Sequence, residues 1–203
     1  MHSEFACYRC EAVVTPAVHA DTGGLCRNCQ KSIPKRVELR DLIACMRGND
    51  KRYRGVYFDQ YSKFKPPVEA LPVLREAVLQ DDNYLVRCAA ISLQKLKSKA
   101  QPAIDDLLNA AANVDEMGLP QNYPQCLTAL VAIDKSHPEL IPLIRRFKHL
   151  DNWVPISASL KALATIGTTD AVELLREIHA CWYPKMDKTQ RRVADKLLSE
   201  ATA

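Results

Sequence analysis

The residues best suited to chemistry stand at the N-terminus. Cys7-Tyr8-Arg9-Cys10 and Cys26-Arg27-Asn28-Cys29 are two Cys-x-x-Cys pairs that enclose 15 residues. Thiolates spaced this way can reach one ion, and two such pairs at this separation can close a tetrahedron around Zn²⁺. Four thiolates leave no position open for water or substrate, so the expected cofactor is one structural Zn²⁺ held by Cys7, Cys10, Cys26 and Cys29. A redox dithiol is a competing reading, but it normally needs one such pair beside a βαβ pattern, which is absent. Disulfides are a third. His19 lies between the pairs as a substitute ligand, although a lone histidine on a hairpin more often faces solvent. About thirty residues carry too little apolar material to fold unaided, so the metal would supply the missing free energy. Cys45, Cys88, Cys126 and Cys181 fall singly in helical patterns and read as small core residues.

No second constellation suggests catalysis. The five histidines are scattered at positions 2, 19, 137, 149 and 179. No Ser/His/Asp arrangement, glycine-rich phosphate loop or carboxylate pair stands out, so an enzyme is not expected. The stretch Lys51-Arg52-Tyr53-Arg54-Gly55-Val56-Tyr57-Phe58, continuing to Lys65, interleaves cations with aromatics. One reading is a surface that holds phosphates and stacks bases. The other is structural: Tyr53, Tyr57, Tyr61 and Phe64 lie at steps of four, four and three, which is one stripe of a helix. Lys51, Arg52 and Arg54 remain a candidate basic patch under either.

The elements that must carry these groups repeat. Leu93, Leu130 and Leu163 open similar apolar quartets 37 and then 33 residues apart. A second row, Leu74, Leu108, Ile144 and Leu175, advances by 34, 36 and 31 residues. Within a period Val86, Ala89, Ala90, Leu93 and Leu96 share one helix face, and Ile104, Leu107, Leu108 and Ala111 share another after a break. The breaks end on Pro67, Pro102 and Pro138, which suit a helix's first turn, or run through Gly167-Thr168-Thr169-Asp170, a cap sequence. Each unit therefore reads as a helical hairpin that buries its apolar face only by stacking on neighbours. The entrance to the middle unit, Val114 to Pro124, is long and irregular, a candidate protruding loop. Before the array, Pro34 to Arg47 reads as a capping helix with Leu39, Leu42, Ile43 and Met46 on one face. After it, Lys188 to Ala201 reads as a final helix with Val193, Ala194, Leu197 and Leu198 inward. Trp153 and Trp182, near helix boundaries, read as packing residues.

The run Leu85-Val86-Arg87-Cys88-Ala89-Ala90-Ile91-Ser92-Leu93, a turn, then Ala103-Ile104 through Leu107-Leu108, resembles a HEAT-like repeat of the short bacterial kind. So does Ala162-Leu163 through Leu174-Leu175, whereas Pro124-Gln125-Cys126 departs from the pattern. Leu25 to Lys31 is similar to the second half of a treble-clef or zinc-ribbon finger. The resemblance implies an all-α fold: a right-handed α-solenoid of about four hairpins over residues 50–203, a linking helix at 34–49 and a small four-cysteine zinc finger at 1–33. In such solenoids the second helix of each hairpin lines the concave face. On that face Arg75, Asn109, Arg145 and Arg176 would form a row, with Arg146 beside it. Their guanidinium groups suit carboxylates or phosphates, unless Glu76, Asp105, Asp106, Glu173 and Glu177 neutralise them through surface pairs.

Bulk properties set the remaining bounds. The chain has 203 residues, 47% hydrophobic and 26% charged, as expected of a folded globular protein. No apolar run approaches the ~20 residues that span a bilayer, and Met1-His2-Ser3-Glu4 does not open a signal peptide. A cytoplasmic protein without membrane contact is expected. Residues 1–65 carry +5 and residues 66–203 carry −1, giving the net +4, which is too weak to imply nucleic acid by itself. The expected function is a scaffold for a protein partner, an acidic one on the strength of the arginines. Nucleic acid held by the basic segment and the arginine row is the alternative.

Overall fold

A computed structural model describes residues 36–48, 54–115 and 118–202, together with two short strands near the N-terminus. The strands, β1 (Phe5–Ala6) and β2 (Val13–Val14), pair antiparallel with Phe5 opposite Val14 and Ala6 opposite Val13. Every other described element is helical, so the fold is all-α. The chain divides into two compact units, residues 1–92 and 93–203.

In the first unit α1 (Leu39–Arg47) begins where the Asp41 carboxylate accepts the Glu38 N–H at 2.8 Å. That cap stops the helix short of Pro34, and only Leu42 and Met46 of its apolar face are fully buried. α1 packs against α2 (Arg54–Ser62) and α3 (Leu71–Val78). From α2, Phe58 and Tyr61 go into the core; of the expected stripe only Tyr61 is buried, Tyr57 is half-buried, and Tyr53 lies outside the described residues. Phe64 lies past the helix end, exposed, with the Arg36 guanidinium 5.9 Å from its ring centroid. Gly55 is needed in α2 for space: a Cβ there would stand 2.5 Å from Cδ1 of Tyr84. A short 3₁₀ turn, Val68–Ala70, leads into α3, whose second residue is Pro72. α4 (Asn83–Leu96) follows and carries the boundary between the units.

The second unit continues through a 3₁₀ run, Lys97–Ala103, into α5 (Ile104–Ala112). Then come α6 (Tyr123–Ile133), α7 (Leu140–Phe147), α8 (Trp153–Ile166), α9 (Thr169–Trp182) and α10 (Lys188–Thr202). α6 packs directly on α5 and α8, and α8 packs on α9 and α10. Caps explain the ends. Asn152 accepts from the Val154 N–H, Thr168 accepts from the Ala171 N–H, and Gly167 closes α8 at φ 69°, a conformation glycine adopts without strain. One polar pair is sealed into this core: the hydroxyls of Tyr123 and Ser159 meet at 2.7 Å, and Ser159 also donates to the Pro155 carbonyl. The irregular entrance to α6 is tied together by Asp115, whose carboxylate accepts from the Leu119 N–H and from Gln121 Nε2. In α10 only Ala194 is fully buried, and Val193, expected inward, faces solvent because the helix touches the unit along a narrow stripe.

Candidate functional site

Three helices bury the position expected of them from the recurrent apolar row: Leu74 in α3, Ile144 in α7 and Leu175 in α9 are all 0% exposed. Leu108 of α5 breaks the series. Leu107 takes the fully buried place, and Leu108, expected in the core, is left half-exposed. The physical reason is local. α5 ends in Ala110-Ala111-Ala112, whose methyl groups do not cover their surroundings, and α5 and α7 meet only sparsely. The result is an open groove of about 370 Å³ lined by Leu108, Asn109, Ala112, Glu139, Pro142, Leu143 and Arg146. Pro142 is tolerated there because a helix's first turn has no use for its missing N–H.

The groove is charged at its two ends. Glu139 precedes the first residue of α7, and Arg146 lies near the last. The Arg146 guanidinium stands 5.2 Å from the centroid of the Phe147 ring. Arg145, exposed beside it, and Lys148 just beyond make this end of α7 cationic. Lys148 reaches across to α9 and pairs with Glu177. That hydrogen bond, with the charges of Lys148, Arg145 and His149, holds the Glu177 carboxyl below its ordinary pKa. Among the described residues none of Arg145, Arg146 and Arg176 forms an ion pair, and all three are exposed. Of the carboxylates expected to neutralise the row, Glu177 pairs directly with Lys148 and feels Arg145 only through its charge. Arg75 lies half-buried on α3 in the first unit and is engaged there.

The structure corrects the basic patch. Arg54, expected on the surface, is 9% exposed. Its Nη2 donates to the carbonyls of Met46 at 2.7 Å and Gly48 at 3.1 Å, and its Nη1 to Gln80 Oε1 at 3.4 Å. The carbonyls at a helix end lack intrahelical partners, and the two N–H groups of Nη2 satisfy two at once while Nη1 reaches a third acceptor. Lys51 and Arg52 lie outside the described residues, as do the proposed zinc ligands Cys7, Cys10, Cys26 and Cys29. Among the described residues no three His, Cys, Asp or Glu side chains gather as a metal site would need. Cys88 and Cys126 are buried, and burial pushes both thiols up to about 12, which keeps them protonated and inert. Cys181, expected in the core, is exposed, and Cys45 is half-exposed. Trp153 and Trp182 pack on each other with ring centroids 6.5 Å apart.

The fold has counterparts among solved structures. The chain is similar to two engineered proteins whose crystal structures come from the Northeast Structural Genomics Consortium. One has a TM-score of 0.57 at 16% identity, with 80% of each chain covered. The other has a TM-score of 0.53 at 16% identity, covering 81% of this chain and 79% of the other. At that identity the likeness concerns the fold alone. No family model matches the chain, and no curated protein does. No described helix is long and apolar enough to cross a membrane.

Proposed function

We propose that the chain is a non-enzymatic binding scaffold: a HEAT-like, right-handed solenoid of helical hairpins that holds an acidic protein partner on the face made by its second helices. The observation that carries this reading is the groove between α5 and α7, with half-exposed Leu108 in its lining and the exposed arginines Arg146, Arg145 and Arg176 at and beyond its rim. Apolar surface left open beside exposed guanidinium groups is surface that another chain can desolvate and neutralise. The recurrent apolar spacing, and the packing of α6 on α5 and α8, support the repeat reading.

An N-terminal four-cysteine module belongs to the same proposal. Cys7, Cys10, Cys26 and Cys29 would hold one Zn²⁺, and bound zinc there would supply folding free energy rather than catalysis. The donor set fits.

Phosphate binding by Lys51, Arg52, Arg54 and the arginine row is weakened, because Arg54 is committed to the end of α1. The test is affinity capture with the purified chain, beside a double variant carrying Arg145→Glu and Arg176→Glu. A discrete protein should be retained by the wild type and lost by the variant at unchanged melting temperature. A parallel titration against pooled DNA and RNA should show no tight binding at low salt. Tight, steeply salt-dependent nucleic-acid binding without a protein partner would overturn the proposal.

A further inference from the structure

We infer that the groove between α5 and α7 receives one aliphatic side chain of an acidic peptide segment, laid along α7 with a carboxylate at the Arg146 end. This rests on the scaffold reading and deepens it by naming what the groove recognises.

The floor sets the first half of the recognition. Leu108 occupies a position that is buried in α3, α7 and α9, yet here it is half-exposed. Ala112, Pro142 and Leu143 complete an apolar slot, and about 370 Å³ is room for an inserted side chain with part of the backbone that carries it. An aliphatic group entering the slot would supply the cover that Leu108 lacks.

The rim sets the second half. Asn109 offers both an amide donor and an acceptor to a peptide backbone. Glu139 and Arg146 are seven residues apart, so the two charges stand ~10 Å apart along the axis of α7. An occupant is therefore oriented: its carboxylate meets Arg146, and its electron-poor end meets Glu139. Contact with the Phe147 ring restrains the Arg146 guanidinium before any partner arrives, which lowers the entropy lost on binding. Arg145 and Lys148 extend the positive field at the same end, with Glu177 as the counter-charge already engaged by Lys148. A phosphodiester backbone fits poorly, because it would lie against Glu139 and an apolar floor.

Three fluorescein-labelled peptides test this by anisotropy with the full chain: a glutamate-rich peptide with one central leucine, the same peptide with alanine for the leucine, and the same with lysine for glutamate. The first should bind, and each change should weaken binding at least about tenfold. In the protein, Ala112→Phe should fill the slot from the last turn of α5 without emptying the core. Arg146→Glu should reject the acidic peptide and regain the lysine peptide, with melting temperatures unchanged. Equal binding of the leucine and alanine peptides, no binding of any, or indifference to Ala112→Phe would overturn the inference. So would a self-associated chain that Ala112→Phe converts to monomer, since the occupant would then be a second copy. If the peptides fail while Arg145→Glu with Arg176→Glu still abolishes partner capture, the groove assignment falls and the scaffold stands. If capture fails too, both fall.

Discussion

The guanidinium of Arg54 closes the end of α1 with Nη2 on the Met46 and Gly48 carbonyls, while Nη1 reaches Gln80 Oε1, so its two terminal nitrogens serve acceptors on two elements. A single ammonium on a flexible stem does not reproduce a planar fork, and removing the group strands carbonyls that are shielded from water. Arg54→Met should lower stability by about 2 kcal/mol, and Arg54→Lys should recover less than half of the loss. Urea midpoints of the three proteins decide it: a lysine variant as stable as the wild type would mean that the fork does nothing. The charge of Arg54 was readable in the sequence. Its burial was not, because it depends on α1 stopping at Arg47 and on which carbonyls that leaves bare.

At the level of elements, Gly55 in α2 exists for the ring of Tyr84 in α4. In an isolated helix Gly→Ala would stabilise, but here the added methyl must push an aromatic ring aside. Gly55→Ala should therefore destabilise by about 1–2 kcal/mol. The double variant Gly55→Ala with Tyr84→Ala should be more stable than the sum of its single effects, a coupling that a double-mutant cycle reads directly. Absence of coupling would show that the ring moves away freely. Most element boundaries were legible, since prolines and caps mark them chemically: α2 ends before Pro67, and α8 ends at Gly167. The phase within an element was less secure. Leu107 and Leu108 are adjacent leucines, and only the packing around α5 selects Leu107 for the core and leaves Leu108 at the groove. The three alanines that follow were the available signal, small side chains where the other second helices carry larger ones. The exposure of Arg145 and Arg176 follows from helical period alone, whereas the pairing of Lys148 with Glu177 needs the placement of α9 against α7.

For the molecule as a whole, the helical cores are built of buried leucines, valines and isoleucines of the described helices. Two consequences follow for the proposed zinc. One equivalent should co-purify with the protein, and Cys26→Ser should abolish it while unfolding the N-terminal module alone. The far-ultraviolet helical signal and the main thermal transition should survive chelation, because the buried leucines of α1 to α9 do not depend on the ion. A folded, metal-free N-terminal module would refute the four-cysteine site. The proposed stack of similar hairpins faces a different hazard: α6 and α8 bury like residues at matching positions, Leu127 and Leu160, Leu130 and Leu163, Ile133 and Ile166, so such helices can stack one step out of place or swap between molecules. Oil alone discriminates poorly between such mistakes. The Tyr123–Ser159 hydroxyl pair supplies discrimination, since an arrangement that separates α6 from α8 takes the buried tyrosine hydroxyl away from Ser159. One hydrogen bond, sealed from water, thus acts as the address label that tells α6 which neighbour is its own.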